Sequence, residues 1–164
     1  VKNLDDILAL SANESRLEKI DLSLVCGMAV DEYKRIYPDI YFDFDEDTVL
    51  YVSGHELLVY RAISNLIDNA IKYGKGKPIM VYAGMQKNCP YISVEDHGIG
   101  IKMEQQEKIF ENRYRIGNRQ KNGYGIGLSL VRHVAELCGG FVWVESEEAK
   151  GSKFKLIFPA FTMD

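Results

Sequence analysis

Apolar residues recur at helical spacing in three stretches of the chain, and these stretches predict its helices. The longest opens at Ser53 or Gly54 and continues to about Tyr73, with Leu, Ile and Ala on one face. A second stretch covers residues 126–137 and closes on a pair of glycines. A shorter one, MAVDEYKRIY (28–37), is also amphipathic and is stopped by a proline.

Runs with a strand pattern separate these helices. The first is an extended run, IDLSLVC (20–26), and three pairs of runs follow that each look like a hairpin. The pairs are IYFDF (40–44) with TVLYV (48–52), PIMVYAG (78–84) with YISVED (91–96), and FVWVES (141–146) with SKFKLIFP (152–159). This order predicts an α+β fold, a two-layer sandwich with a mixed, mostly antiparallel sheet and helices on one face.

Composition narrows the class of protein without identifying it. The 164 residues suffice for one domain with a sizeable core. A formal net charge of -4 argues against nucleic acid as the main partner, although a local basic cluster could still serve one triphosphate. Three cysteines outside any CxxC pair indicate a reducing compartment without disulfides or a zinc site. The sequence has neither a long apolar stretch for a membrane span nor a signal peptide.

The first candidate site lies on the longest predicted helix. Asn65, Asn69 and Lys72 fall on one edge of it, since they are spaced at i, i+4 and i+7. Such an edge is more often a solvated polar face. Two asparagines are unusual there, because Asn is a poor helix former. Its neutral oxygen suits Mg²⁺ when substrate phosphates supply other ligands, and a Lys adds a point charge for phosphate.

A second candidate is VEDHGIGI (94–101), where a predicted strand ends on an acid and two glycines follow. Asp96, Gly98 and Gly100 could form an ordinary polar turn. Alternatively, the carboxylate accepts hydrogen bonds from an amine-bearing ring, and the glycines leave room for that ring. Glu95 is less attractive, because alternation places it on the opposite side of the strand.

Glycines also mark the start of the helix at 126–137. In GYGIGLSL (123–130), Gly123, Gly125 and Gly127 lead into that helix, and the backbone N–H groups of a helix N-terminus bind phosphate well. The string could equally be a flexible hinge. It is not the dinucleotide fingerprint, which needs a preceding strand. A basic segment with Arg113 and Arg115 precedes it and could be either a solvated charge run or a lid over a triphosphate.

The order of these motifs is more specific than any one of them. NLIDNAIKY, VEDHGIGI, IFENRYR and GYGIGLSL, followed by a Gly-Gly and a final hairpin, resemble the ATP-binding catalytic domain of bacterial sensor histidine kinases. The resemblance covers roughly residues 21–160. It implies the Bergerat-type α/β sandwich that is shared with gyrases, mismatch-repair ATPases and heat-shock chaperones. It also implies ATP as substrate and Mg²⁺ as cofactor.

The resemblance implies a role for individual residues. Asn69 matches the magnesium ligand, Asp96 matches the acid that recognises the adenine amino group, and the segment 111–122 matches a mobile lid. Catalytic roles are implied for Asn65, Lys72 and Arg115. The full set of implied nucleotide contacts is Asn65, Asn69, Lys72, Tyr73, Asp96, Gly98, Gly100, Ile101, Phe110, Gly123, Tyr124, Gly125, Ile126, Gly127 and Leu128.

Three alternatives of the same fold stay open. In IFENRYR, Asn112 and Arg113 stand where the family more often has Arg and Phe, which leaves open which arginine assists transfer and allows a degenerate binding module. A hydrolase would carry a Glu as general base four residues before the magnesium-binding Asn, and here that position is the amide of Asn65. An anti-sigma-type serine kinase has a serine acceptor instead.

We expect the histidine acceptor to lie outside this chain. His55 is followed by Glu but lacks the proline of the family's acceptor motif, His97 is expected beside the site, and His133 is expected in a packed helix. Residues 1–19 resemble the end of the preceding dimerisation helix, so residues 20–164 are predicted to be the catalytic domain. The chain opens on a Val, which suggests a fragment. The whole protein is expected to be a membrane-anchored homodimer with this domain in the cytoplasm and a response regulator as its downstream partner. The fragment alone is expected to be a monomer.

Overall fold

Seven strands and three helices make up the part of the chain that the computed structural model describes, residues 17–111 and 126–162. A single 3-10 turn, Met103–Gln105, follows the fifth strand. In chain order the elements are β1 (Glu18–Asp21), α1 (Leu22–Lys34), β2 (Ile40–Phe44), β3 (Tyr51–Gly54), α2 (Glu56–Tyr73), β4 (Ile79–Gln86), β5 (Cys89–Asp96), α3 (Ile126–Leu137), β6 (Phe141–Glu147) and β7 (Gly151–Ile157).

Five of the strands form one mixed sheet in the order β2-β4-β5-β7-β6. β2 runs parallel to β4, and every other neighbouring pair in the sheet is antiparallel. Two of the three predicted hairpins, β4–β5 and β6–β7, are therefore confirmed. The α+β fold with a mixed, mostly antiparallel sheet is confirmed as well.

One face of this sheet is buried under the helices. Val81, Val94 and Phe154 form one cross-strand row on it, and each of them is at most 2% exposed. The next row, Ala83 with Ile92 and Leu156, is completely buried. α1 packs on β2 and β4, α2 on β5, and α3 on β6 and β7. The core therefore lies between the sheet and one layer of helices, which stabilises both layers through the burial of apolar surface.

The predicted hairpin of residues 40–44 with 48–52 is wrong. β3 pairs instead with β1 in a separate two-stranded antiparallel sheet, in which Val52 lies opposite Ile20. Both side chains are buried in the core. The turn that suggested the hairpin does exist, since the Asp45 carboxylate accepts hydrogen bonds from Asp47 N (3.0 Å) and Thr48 Oγ1 (2.8 Å). Non-local packing of the apolar residues, and not the turn, decided the pairing.

The extended run predicted over residues 20–26 is also wrong beyond its first two residues. The strand ends at Asp21, whose carboxylate accepts a hydrogen bond from Leu24 N (3.2 Å) and so caps α1. Leu22, Val25, Cys26 and Ala29 then face the core at helical spacing. β1 itself spans the predicted boundary between residues 19 and 20.

The two helices predicted over 53–73 and 126–137 are confirmed, with α2 beginning at Glu56. α2 is buried along most of its length, which is what fixes the position of its polar edge. Within the described ranges, no helix has both the length and the apolar character that a membrane crossing requires.

Candidate functional site

α2 presents the predicted polar residues at intervals of one turn. Asn65, Asn69 and Tyr73 are spaced four residues apart, so they lie along one edge of the helix. At the first of these positions the Asn65 Nδ2 donates a hydrogen bond to the Gly127 carbonyl oxygen (3.2 Å). This bond ties the first turn of α3, where backbone N–H groups are free of helical partners, to the middle of α2.

Asn69 is the most buried of these side chains. It is 5% exposed, and its Oδ1 has no hydrogen-bond partner within the described residues. An unsatisfied buried oxygen costs about 1–3 kcal/mol, which makes a ligand for it chemically reasonable. An amide oxygen is a suitable ligand for Mg²⁺. Within residues 17–111 and 126–162 there is no group of three or more His, Cys, Asp and Glu side chains that could hold a metal.

Lys72 lies one turn of helix beyond Asp68 and pairs with it. Their Nζ and Oδ2 atoms are 2.9 Å apart, and both side chains are 40% exposed. An exposed pair at this spacing contributes only about 0.3–0.5 kcal/mol. Lys72 can therefore exchange this carboxylate for a phosphate at little cost.

The end of α2 contacts the loop that follows β5. The N–H group of Ile99 donates to the Tyr73 carbonyl oxygen (3.1 Å). A Cβ added at Gly98 would lie 1.8 Å from that same oxygen, so no side chain fits at this position. A Cβ added at Gly74 would lie 3.5 Å from the Cβ of Asp96. The predicted adenine-binding acid therefore lies beside the C-terminal end of the helix that carries Asn65 and Asn69.

Asp96 is the last residue of β5 and is only 4% exposed. Its Oδ1 accepts a hydrogen bond from Gly98 N (2.9 Å). Burial raises the pKa of this carboxyl above its ordinary value, and the backbone amides of Gly98 and Ser152 partly offset that effect. The group is thus a fixed acceptor in a nearly dry environment, where a hydrogen bond to a charged group is strong.

The two glycines after Asp96 are required by the protein backbone itself. Gly100 has φ +68, and a Cβ there would lie 2.1 Å from the Glu147 carbonyl oxygen. Glycine adopts such a conformation without the steric cost of a Cβ, and here that Cβ would also clash with the backbone. The sequence left both a turn and a ligand open as the reason for these glycines, and the close approach of neighbouring chain segments is one reason for both of them.

Three further residues with predicted nucleotide contacts belong to the core. Ile101 and Leu128 are each 1% exposed. Phe110 is half-buried and packs edge-on against Phe154, with ring centroids 6.1 Å apart. These side chains therefore contribute to the packing of the hydrophobic core.

The remaining predictions fall outside the described residues. Arg115, Gly123, Tyr124 and Gly125 lie in the segment 112–125, as does nearly all of the predicted lid, and the side chain of Ile126 is also not described. Of the histidines, His55 immediately precedes α2. His97 is exposed next to Asp96. His133 lies on α3, which packs against α2, β6 and β7 as expected, but its own side chain is exposed.

Sequence reasoning missed Ser152. It is 5% exposed, it lies opposite Asp96 in the β5–β7 ladder, and its backbone amide hydrogen-bonds the Asp96 carboxylate. The available signal was the Gly-Ser pair that opens the last predicted strand. That pair points to Asp96 only when the pairing of β5 with β7 is known residue by residue, and the sequence does not specify this pairing.

The described polar groups are spread along the second half of α2. Asn65 lies opposite Gly127 at one end, and Gly74 lies beside Asp96 at the other. Nine residues of helix separate these ends, which corresponds to about 13 Å.

Comparison with known proteins identifies relatives of the chain. Residues 54–162 match the family model described as "Histidine kinase-, DNA gyrase B-, and HSP90-like ATPase". The signal transduction histidine-protein kinase ArlS of Staphylococcus aureus is 31% identical over 170 residues. That alignment covers 96% of this chain but only 37% of ArlS. The chain thus spans little more than a third of the length of this curated relative.

Solved structures agree with the fold. The mycobacterial sensor histidine kinase MprB is similar with a TM-score of 0.77 and 25% identity, over 89% of this chain and 100% of that one. The histidine kinase domain of the Escherichia coli osmosensor EnvZ has a TM-score of 0.68 and 24% identity, over 91% of each chain. The EnvZ similarity concerns the fold alone.

Proposed function

Because the chain belongs to the family of histidine kinase-, DNA gyrase B- and HSP90-like ATPases, we propose that it is the catalytic domain of a two-component sensor histidine kinase. In this proposal the domain binds Mg-ATP and transfers the γ-phosphoryl group to a histidine on a separate module. The observation that carries it is the buried Asp96 carboxylate at the end of the helix edge that bears Asn69.

Asp96 is proposed to select adenine. An ionised carboxylate only accepts hydrogen bonds, so it pairs with the exocyclic amine of adenine and opposes the carbonyl oxygen of guanine. The amide of Gly98 already fixes one of its oxygens at 2.9 Å. This leaves acceptor capacity on a side chain that cannot rotate away, which is the pre-organisation that selective binding needs.

Asn69 and Lys72 are proposed to serve the phosphate end. The unpartnered Oδ1 of Asn69 fits a Mg²⁺ ligand, and the metal, when bound, would neutralise charge between the phosphates. Lys72 supplies an exposed cation one turn of helix away. The glycines that lead into α3, of which Gly127 is described, are proposed to complete the phosphate site with backbone N–H groups.

Transfer is favoured over hydrolysis by the side chain at position 65. Asn65 carries an amide, which cannot take a proton from water at neutral pH, and its Nδ2 is committed to Gly127 O at 3.2 Å. Phosphoryl transfer depends mainly on positioning and on neutralisation of charge, for which an amide suffices. We propose that Asn65 holds α3 in place, and that Arg115 adds positive charge to the transfer step.

The acceptor and the further partners belong to the rest of the proposed protein. We propose a dimerisation module with the acceptor histidine before residue 20, a response regulator downstream, a membrane anchor elsewhere in the protein, and a cytoplasmic location for this domain. The name of the relative ArlS, a signal transduction histidine-protein kinase, supports the proposed histidine acceptor and the signalling partner.

Calorimetry with ADP, GDP and Mg²⁺ tests nucleotide selection directly. The proposal predicts tight ADP binding that is strengthened by Mg²⁺, and weak or undetectable GDP binding. Equal binding of ADP and GDP would contradict the role of Asp96. Failure to bind either nucleotide in the presence of Mg²⁺ would contradict the proposed function altogether.

A further inference from the structure

The hydroxyl group of Ser146 connects the loop that follows Asp96 to the β6–β7 hairpin. The Ser146 Oγ on β6 accepts a hydrogen bond from Ile101 N (2.8 Å). It also lies 2.8 Å from the Gly151 carbonyl oxygen and 2.8 Å from the Ser152 Oγ. A serine hydroxyl has one proton and two acceptor sites. It can therefore donate to Gly151 while it accepts from Ile101 and Ser152, so that its full capacity is used.

This hydroxyl is linked to Asp96 through β7. Ser152 is the residue whose backbone amide hydrogen-bonds the Asp96 carboxylate. A Cβ at Gly151 would lie 2.1 Å from the Asp96 carbonyl oxygen, so the two strands are in close backbone contact there. Ser146 thus joins the far end of the loop, at Ile101, to the strand that fixes the acid.

Gln106 forms a second connection at the same point. Its Nε2 donates to the Ile101 carbonyl oxygen (2.9 Å) and to the Ser146 carbonyl oxygen (3.0 Å). One amide group therefore bridges the loop and β6. The Ile101 N–H is bound by the Ser146 side chain and the Ile101 carbonyl by the Gln106 side chain, while the side chain of Ile101 itself is buried in the core.

We propose that Ser146 and Gln106 are positioning residues for recognition of the adenine ring. They hold residues 97–101 against the β6–β7 hairpin, so that the Asp96 carboxylate meets the exocyclic amine at a fixed distance and angle. Neither residue touches the nucleotide. The inference rests on the proposed function, because it assumes that Asp96 binds adenine.

The test compares ADP with inosine diphosphate, which lacks the exocyclic amine. Calorimetry gives the ratio of the two dissociation constants for the wild type and for the variants Ser146→Ala and Gln106→Leu. Loss of one or two positioning hydrogen bonds is expected to reduce the preference for ADP by roughly three- to tenfold. Ser146→Thr keeps the hydroxyl and should restore most of the preference.

Gln105→Leu is the matched control. Gln105 precedes Gln106, is also half-buried, and makes no side-chain hydrogen bond to any of the described residues. The ratio of the dissociation constants for ADP and inosine diphosphate should be the same in this variant as in the wild type. Thermal unfolding of each variant shows that it is folded at the assay temperature, and the half-buried Gln106 offers the milder of the two changes.

The outcomes separate the two proposals. A wild type that prefers ADP, with both variants keeping the full preference, overturns the positioning role and leaves the proposed function intact. Equal weakening of ADP and inosine diphosphate in the variants also overturns it, since that pattern indicates a general structural effect. A wild type that binds both nucleotides equally overturns adenine recognition by Asp96, and the positioning role with it.

Discussion

Replacement of Asp96 by Asn should weaken ADP binding strongly while the fold is kept. The two side chains have the same shape, so the change removes a charge without creating a cavity. Asp96 is 4% exposed, and water therefore cannot take over the lost interaction. A hydrogen bond to a charged group contributes about 1.5–3 kcal/mol. We expect a loss of roughly ten- to a hundredfold in ADP affinity.

Isothermal titration of ADP in the presence of Mg²⁺ measures this loss. Glu95→Gln is the control, because it removes one negative charge from the adjacent residue, which pairs with Met80 and Lys153 in the sheet. That variant should bind ADP about as well as the wild type. An Asp96→Asn protein that is folded and binds ADP within twofold of the wild type would refute the assignment of Asp96 to the adenine.

Three further results are expected. Asn69→Ala should reduce ADP affinity more with Mg²⁺ than with EDTA, because it removes the proposed oxygen ligand; equal losses in two such titrations would make Asn69 purely structural. Gly98→Ala should lower the free energy of unfolding by about 1–3 kcal/mol in denaturant titrations, since the new methyl group would meet the Tyr73 carbonyl oxygen, and an unchanged stability would contradict that packing. ADP affinity should fall as the pH is lowered, and the fall should begin above pH 3.8, the ordinary pKa of an aspartate, because burial raises the pKa of Asp96. A protonated carboxyl would no longer pair with the amine as the carboxylate does, and the Asp96→Asn variant should lack this pH dependence in the same titrations.

The same raised pKa has a defined consequence for the ligand-free protein. An acid whose pKa is higher in the folded state binds more protons there than in the unfolded chain. Its contribution to the free energy of unfolding therefore decreases as pH rises from the ordinary pKa through the raised one. At a pH above the raised pKa, the buried negative charge of Asp96 lowers the free energy of unfolding, and a hydrogen bond from a bound amine would offset this loss.

Local patterns predicted α2, α3 and two of the hairpins, whereas the helix predicted over residues 28–37 begins earlier, at Leu22, and ends at Lys34. α2 and α3 have a strong apolar period and clear glycine stops, and β4–β5 and β6–β7 are joined by short turns. The pairing of β3 with β1 could not be predicted in this way, because these strands are separated by the whole of α1 and β2. Nothing in the residues around Val52 distinguishes β1 from β2 as a partner.

In the candidate site, too, residues that belong to local sequence patterns were predicted, and residues that matter through long-range contacts were not. Asn65, Asn69 and Asp96 were identified from spacing and motif order, and the structure brings the ends of α2 and β5 together. Ser146, Ser152 and Gln106 were missed because their importance comes from contacts across the sheet. A serine or glutamine in a strand or turn has no distinctive pattern, so only the folded arrangement reveals it.

The most direct test of the central claim is transfer of labelled phosphate. The chain is incubated with γ-labelled ATP and Mg²⁺, with and without the histidine-bearing dimerisation module of the same protein added in trans. We expect this chain to bind ATP but to stay unlabelled, and acid-labile label to appear on the added module. Stable label on this chain alone, or no label on the module despite ATP binding, would contradict the central claim.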